Sequence, residues 1–202
     1  TNQSWIKPQG ASFVFFTLIG GGGGGAGWNG VDPGGGGGSG AVTNFMCPAF
    51  LIPDQLAVMV GTGGAGGGNG ASGVVGRESS IYYDVKAKEA YLLLYANPGS
   101  GGLPGASGGG GGNAMNPSPF TATGFLNSSA GATGEVNTPS ETFLTGGTTS
   151  QANYGYFNNA GPGYFQMQPI IVSTGGAYSK KGGVGSGGGG SASDGVNGGA
   201  GG

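Results

Sequence analysis

The 202-residue chain holds 55 glycines, one cysteine and no histidine; charged side chains make up 7% of it and the net charge is −2. So weak and balanced a charge excludes the basic footprint of a nucleic-acid-binding protein and the polybasic stripe of a protein held on anionic lipid, while a single cysteine excludes an internal disulfide. The hydrophobic fraction of 36% is gathered in discrete runs, unlike the sparse apolar content of a charged, disordered polymer.

In chain order, residues 11–19, ASFVFFTLI, are β-branched and aromatic with no helical period and predict a strand that feeds the glycines of 20–25. Cys47, between Met46 and Pro48, reads as a half-buried thiol. Leu56-Ala57-Val58-Met59-Val60 delivers the chain to a second glycine tract over 61–76, and Ser80-Ile81-Tyr82-Tyr83-Asp84-Val85 reads as a partner strand. Glu89 to Tyr95 leads through Ala96-Asn97-Pro98 into the tract beginning at Gly99. Residues 113–168, rich in Asn, Ser, Thr, Pro and aromatics, read as a variable or contact segment inserted in a single 1–202 domain, and Pro169-Ile170-Ile171-Val172 precedes the last glycine tract. No window keeps an i, i+3, i+4, i+7 apolar stripe, so no helix is predicted. The expected fold is all-β: a small β-sandwich or jelly-roll-like core extended by a bundle of polyglycine II helices.

The bundle is read from a count of three. Gly61, Gly64, Gly67, Gly70, Gly73 and Gly76 fall on every third position, whereas only three of the ten positions between them are glycine. Gly99, Gly102, Gly105, Gly108 and Gly111 repeat the pattern, and 183–201 keeps a small residue at each register position. Three residues per turn at about 3.1 Å rise is polyproline II geometry, which would draw 61–76 out into one rod of about 45 Å. A lone rod has no internal hydrogen bonds; side-by-side rods bond to one another, and only glycine on the inward edge lets backbones approach so closely. Collagen shares the period but requires abundant proline, which these tracts lack.

Without histidine the chain has neither the usual general base nor the commonest zinc ligand. Asp32, Asp54, Glu78, Asp84, Glu89, Glu135, Glu141 and Asp194 are scattered, with no acid/base pair among them. G-x-G-x-x-G matches carry no information in so glycine-rich a chain, and no phosphate-binding G-x-x-x-x-G-K-[ST] occurs. The expectation is a protein that is not an enzyme and uses no cofactor or metal. Residues 151–168 concentrate Tyr154, Tyr156, Phe157, Tyr164 and Phe165 among asparagines and glycines. Such rings either contact a partner protein or a saccharide or form a satellite core under a long loop. Trp28, inside a glycine tract, reads as a cap over exposed backbone.

The opening Trp5-Ile6-Lys7-Pro8-Gln9-Gly10-Ala11, followed by an apolar strand and polyglycine, resembles the start of the glycine-rich domain found in many bacteriophage virion proteins. Leu56 to Gly76 is similar to that domain's second block, and the likeness covers roughly residues 5–112 and 175–202. The architecture also resembles phage tail-fibre tip adhesins, in which polyglycine II motifs alternate with variable segments that recognise the host. The resemblance implies a non-catalytic structural or decoration protein on the virion surface, on capsid or tail. The alternative it implies is a host-receptor-binding adhesin at a tail-fibre or capsid-fibre tip. The partners the resemblance implies are other virion proteins and a host surface saccharide or protein; glycine-rich edges and exposed apolar runs add copies of the chain itself, a trimer first, and the weak charge leaves no nucleic acid and no membrane among the expected partners.

Overall fold

The computed structural model describes residues 2–83, 91–105, 107–135, 146, 181–188, 190 and 197–202. Seven strands lie in them: β1 (Asn2–Ile6), β2 (Phe13–Ile19), β3 (Val42–Pro48), β4 (Gln55–Met59), β5 (Ser79–Tyr83), β6 (Tyr91–Ala96) and β7 (Phe125–Ser129). The helical content of the described residues is two single 3-10 turns, Ala49–Leu51 and Thr121–Thr123. All pairings are antiparallel, in a four-stranded sheet of order β1-β4-β5-β6 and a three-stranded sheet of order β2-β3-β7, and neither closes into a barrel. The chain is therefore all-β, as its composition and runs predict.

Period-two alternation drives the two sheets together. Val14 and Leu18 of β2 and Phe45 and Cys47 of β3 are buried on one sheet, and Leu56, Ile81, Leu94 and Ala96 meet them from the other. Trp5 packs edge-on against Phe16 across the gap at 5.6 Å between ring centres, and Phe120 covers Phe45 at 5.1 Å. At about 1.5–3 kcal/mol for each fully buried large side chain, this cluster is modest for a chain of this length. The rest of the order comes from the glycine tracts.

Each of the first three tracts continues a β-hairpin or a strand as a pair of rods. β2 and β3 are in register to Ile19↔Val42, and the next residues carry on the pairing in a new form: Gly20, Gly23 and Ala26 donate to the carbonyls of Ala41, Gly38 and Gly35. Residues 20–27 (rod 1) and 34–41 (rod 2) thus run antiparallel. β4 continues into 61–68 (rod 3) and returns through 71–77 (rod 4) to β5, with Val74 and Arg77 donating to Ala65 and Thr62. β6 continues into 97–103 (rod 5), which pairs with 107–112 (rod 6); rods 7 (131–135), 8 (186–188, after a turn at 183–185) and 9 (197–202) complete those in the described residues.

The hydrogen bonds of rod 1 rotate through its neighbours with a period of three. Gly20, Gly23 and Ala26 donate to rod 2; Gly21, Gly24 and Gly27 to Arg77, Val74 and Ala71 of rod 4; Gly22 and Gly25 to Gly202 and Gly199 of rod 9. Its carbonyls accept from Gly64 and Gly67 of rod 3, from Gly99 and Gly102 of rod 5, and from Gly188 of rod 8. Those six neighbours also bond to one another around the ring in the order 4, 5, 2, 8, 9, 3. Rod 1 is the axis of a hexagonal bundle, and the threefold repeat is that of the polyproline II class of helix. A strand bonds two neighbours with alternate residues; with no side chains to clear, the same backbone serves six.

One side-chain clasp holds the bundle to the sandwich and another closes the far end of the sandwich. Ser79, 7% exposed, donates its Oγ to Ile19 O at 2.6 Å and accepts from Gly61 N at 3.0 Å, joining the sheets where strands become rods. At the other end Lys7 Nζ donates to Ala49 O and Ile52 O and pairs with Asp54 at 2.9 Å, pinning the turn after β3.

Two sequence expectations change. The tract 61–76 is not one rod of about 45 Å: the chain reverses at Gly70, whose φ is +68°, and likewise at Gly105, φ +76°, within 99–111. Both glycines keep the count of three, yet each serves a turn that needs positive φ. The inserted-segment reading of 113–168 also meets a finding: residues 125–129 are the third strand of a sheet, 131–135 are rod 7, and Met115 lies in the core. The beginning of that segment is part of the framework.

Candidate contact surface

The predicted register glycines divide by what a side chain there would meet. A Cβ on Gly61, Gly64, Gly67, Gly73 or Gly76 would come within 2.2 Å of a carbonyl oxygen of a neighbouring rod, and so would one on Gly99, Gly102, Gly108 or Gly111. Gly70 and Gly105 have no such backbone neighbour. The predicted contact aromatics Tyr154, Tyr156, Phe157, Tyr164 and Phe165 lie outside the described residues.

The topology brings three reversals to the end of the bundle remote from the sandwich. The first, 28–33, is organised by Asn29, whose Oδ1 accepts from Val31 N at 2.9 Å and Asp32 N at 2.7 Å, an Asx-type turn. The second is tied to it: Gly70 N donates to Trp28 O at 2.6 Å. The third, at Pro104-Gly105, abuts the Asn29 Nδ2, which would stand 3.5 Å from a Cβ on Gly105. Val31 is 82% exposed and Leu103 49%, so the tip presents apolar side chains among asparagines on a backbone held by the rods behind it. Trp28 is half-buried, its carbonyl bonded to the second reversal. Sequence reading did not assemble this surface, because its parts lie some forty and thirty-five residues apart; the Asn-Gly pairs at 29–30 and 69–70 were the only local signal.

A cleft of about 340 Å³ opens between β2 and the four-stranded sheet, lined by Trp5, Val14, Phe16, Leu18, Val58 and Ile81. A second, of about 540 Å³, adjoins it at the base of the rods, between Thr17, Val60, Gly61 and the stretch from Lys181 to Gly185. The first is the unclosed side of an apolar core. Among the described residues no three Cys, Asp or Glu side chains gather as metal ligands. Cys47 is 1% exposed, and burial pushes its thiol pKa up, away from the thiolate that nucleophilic chemistry needs.

The fold and surface define a glycine-rich β protein in which a two-sheet body carries a bundle of backbone-bonded rods. The chain belongs to the glycine-rich domain family, whose pattern matches residues 1–202. None of the curated proteins compared with the chain matches it.

Proposed function

We propose that this protein is a non-catalytic structural or decoration component on the surface of a bacteriophage particle, on capsid or tail. The observation that carries the reading is the enclosed rod 1: six bonded neighbours make the bundle a stiff spacer that holds the tip reversals away from the sandwich. A stiff, nearly uncharged projection is suited to mechanical display. Its partners are other virion proteins and copies of itself, the trimer being the first arrangement to test, because apolar side chains such as Phe13 and Phe50, 63% and 81% exposed, are covered by self-association. Cryo-EM of purified particles labelled with an antibody fragment against the 28–33 loop tests this. Regular copies on the shell or tail are expected, and particles free of the protein would sink the reading.

A second reading, a host-receptor adhesin at a fibre tip, is favoured by the gathering of the three reversals into one surface. Under it the tip touches a host surface saccharide or protein. Val31→Asp combined with Leu103→Asp would then abolish attachment to cells while particles still assemble with the protein in place; unchanged attachment would leave the structural reading alone.

A further inference from the structure

The chain contains three Asn-Gly pairs, at 29–30, 69–70 and 197–198. All three asparagines are exposed. Asn-Gly is the sequence in which the next residue's backbone nitrogen most readily attacks the side-chain amide, since glycine has no Cβ to obstruct the approach. In an unfolded chain the three would be chemically alike. The fold makes them different, because it decides which attacking nitrogen is already engaged.

Gly70 N donates to Trp28 O at 2.6 Å, and Gly198 N donates to Gly67 O at 2.9 Å, each bond being part of the framework. Gly30 N has no hydrogen-bond partner among the described residues, and Gly30 is exposed to water. The electrophile beside it is also prepared. Asn29 Oδ1 accepts from the N–H groups of both Val31 and Asp32, which polarise the amide carbonyl and stand ready for the negative charge that attack at Cγ places on that oxygen.

The geometry points to Asn29 as a site of spontaneous deamidation, selected over Asn69 and Asn197 by the hydrogen bonds of the rods. Hydroxide removes the Gly30 N–H proton and the nitrogen bonds to Asn29 Cγ. The Cγ–Nδ2 bond breaks, and the nitrogen leaves as ammonia with a proton taken from water. A water molecule then opens the cyclic imide at either carbonyl, giving aspartate or isoaspartate. Either product places a negative charge three residues from Asp32, and isoaspartate also lengthens the main chain where Asn29 N donates to Asp32 O. The tip is thereby altered while the rods behind it are left intact.

The test is peptide mapping by mass spectrometry after incubating the folded, full-length chain at mildly alkaline pH, with a parallel sample unfolded in urea. In the folded sample the peptide holding Asn29 should gain the mass of amide-to-acid conversion about tenfold faster than those holding Asn69 and Asn197, the scale set by having to give up one hydrogen bond before attack. In urea the three rates should converge. Asn29→Gln should remove the fast phase and leave the circular dichroism unchanged. Asn69 or Asn197 keeping pace in the folded protein, Asn29 staying intact there, or the same ratio persisting in urea would each overturn the assignment.

Discussion

Gly24→Ala tests the physical basis of the bundle most directly. A methyl there would lie 2.0 Å from Ala65 O, 2.5 Å from its carbonyl carbon and 2.9 Å from Gly66 N, all rigid backbone. Carbon requires about 3.5 Å from such atoms, so rods 1 and 3 must part by about 1.5 Å. The bonds from Gly64 N to Gly22 O and from Gly67 N to Gly25 O, both 2.8 Å, then stretch beyond useful reach. Two lost bonds at about 1 kcal/mol each, plus about 1–3 kcal/mol for enclosed polar groups left unpaired, give a loss of about 3–5 kcal/mol. For a chain of this size that is a fall in Tm of about 6–20 °C. Gly110→Ala is the control: Gly110 is exposed, a Cβ there meets nothing within 4 Å, and its φ is not positive. That substitution should be neutral or add about 0.4–1 kcal/mol through the unfolded state. Thermal unfolding followed by circular dichroism compares the two; equal melting temperatures for both variants would refute close backbone contact as the source of stability.

Ser79→Ala removes the clasp between the sheets and strands the carbonyl of Ile19 and the amide of Gly61; a loss of about 1–3 kcal/mol is expected in urea denaturation, and an unchanged midpoint would show the clasp to be idle. Hydrogen exchange in rod 3 should follow the period of three, with the amides of Gly64 and Gly67 slow and those of Thr62, Gly63, Ala65 and Gly66, whose N–H groups have no acceptor among the described residues, fast; uniform rates along 61–68 would contradict the bundle. Burial raises the Cys47 thiol pKa, so the folded state keeps that proton to higher pH than the unfolded chain. Its stabilisation is whole below the free thiol's value near pH ~8.5 and is lost as pH rises through the raised folded value. Cys47→Val should therefore lose less stability than wild type as pH climbs above that point, and parallel pH profiles would show that the thiol does not contribute.

The strands built on continuous apolar or aromatic runs, β2, β4, β5 and β6, were legible in sequence to within a few residues. β1, β3 and β7 were not. NQSWI and FLNSS are edge strands with mostly polar residues, and VTNFMCP carries an asparagine mid-run and ends in proline, so each reads locally as loop and is fixed as strand only by its neighbours. The count of three was legible because every inward position on a rod faces the same steric demand. The reversals at Gly70 and Gly105 were hidden by that same count, since a glycine needed for positive φ and one needed for close approach are the same letter. Which rods adjoin is set by bonds spanning well over a hundred residues, such as Gly22 N to Gly202 O, and no local pattern records them.

The width of the bundle follows from where glycine gives way to other residues. Rod 1, with six bonded neighbours, is glycine at seven of its eight positions; rod 4, bonded to rods 1, 3 and 5, is glycine only at Gly73 and Gly76. A Cβ at either of those two would strike rod 1, at Gly24 O or Gly21 O. Its other positions carry Ala71, Ser72, Val74, Val75 and Arg77, all exposed, whereas Gly76 on the inward line is buried and Gly73 half-buried. These side chains occupy the space that a further rod would need, in the way that charged or bulky residues protect the edge of a sheet. A bundle bonded through bare backbone would otherwise add rods from any glycine-rich chain that met it. Lateral growth is thus halted residue by residue, and a rim rod in which Val74 and Val75 were both replaced by glycine would expose an unprotected edge to the next molecule.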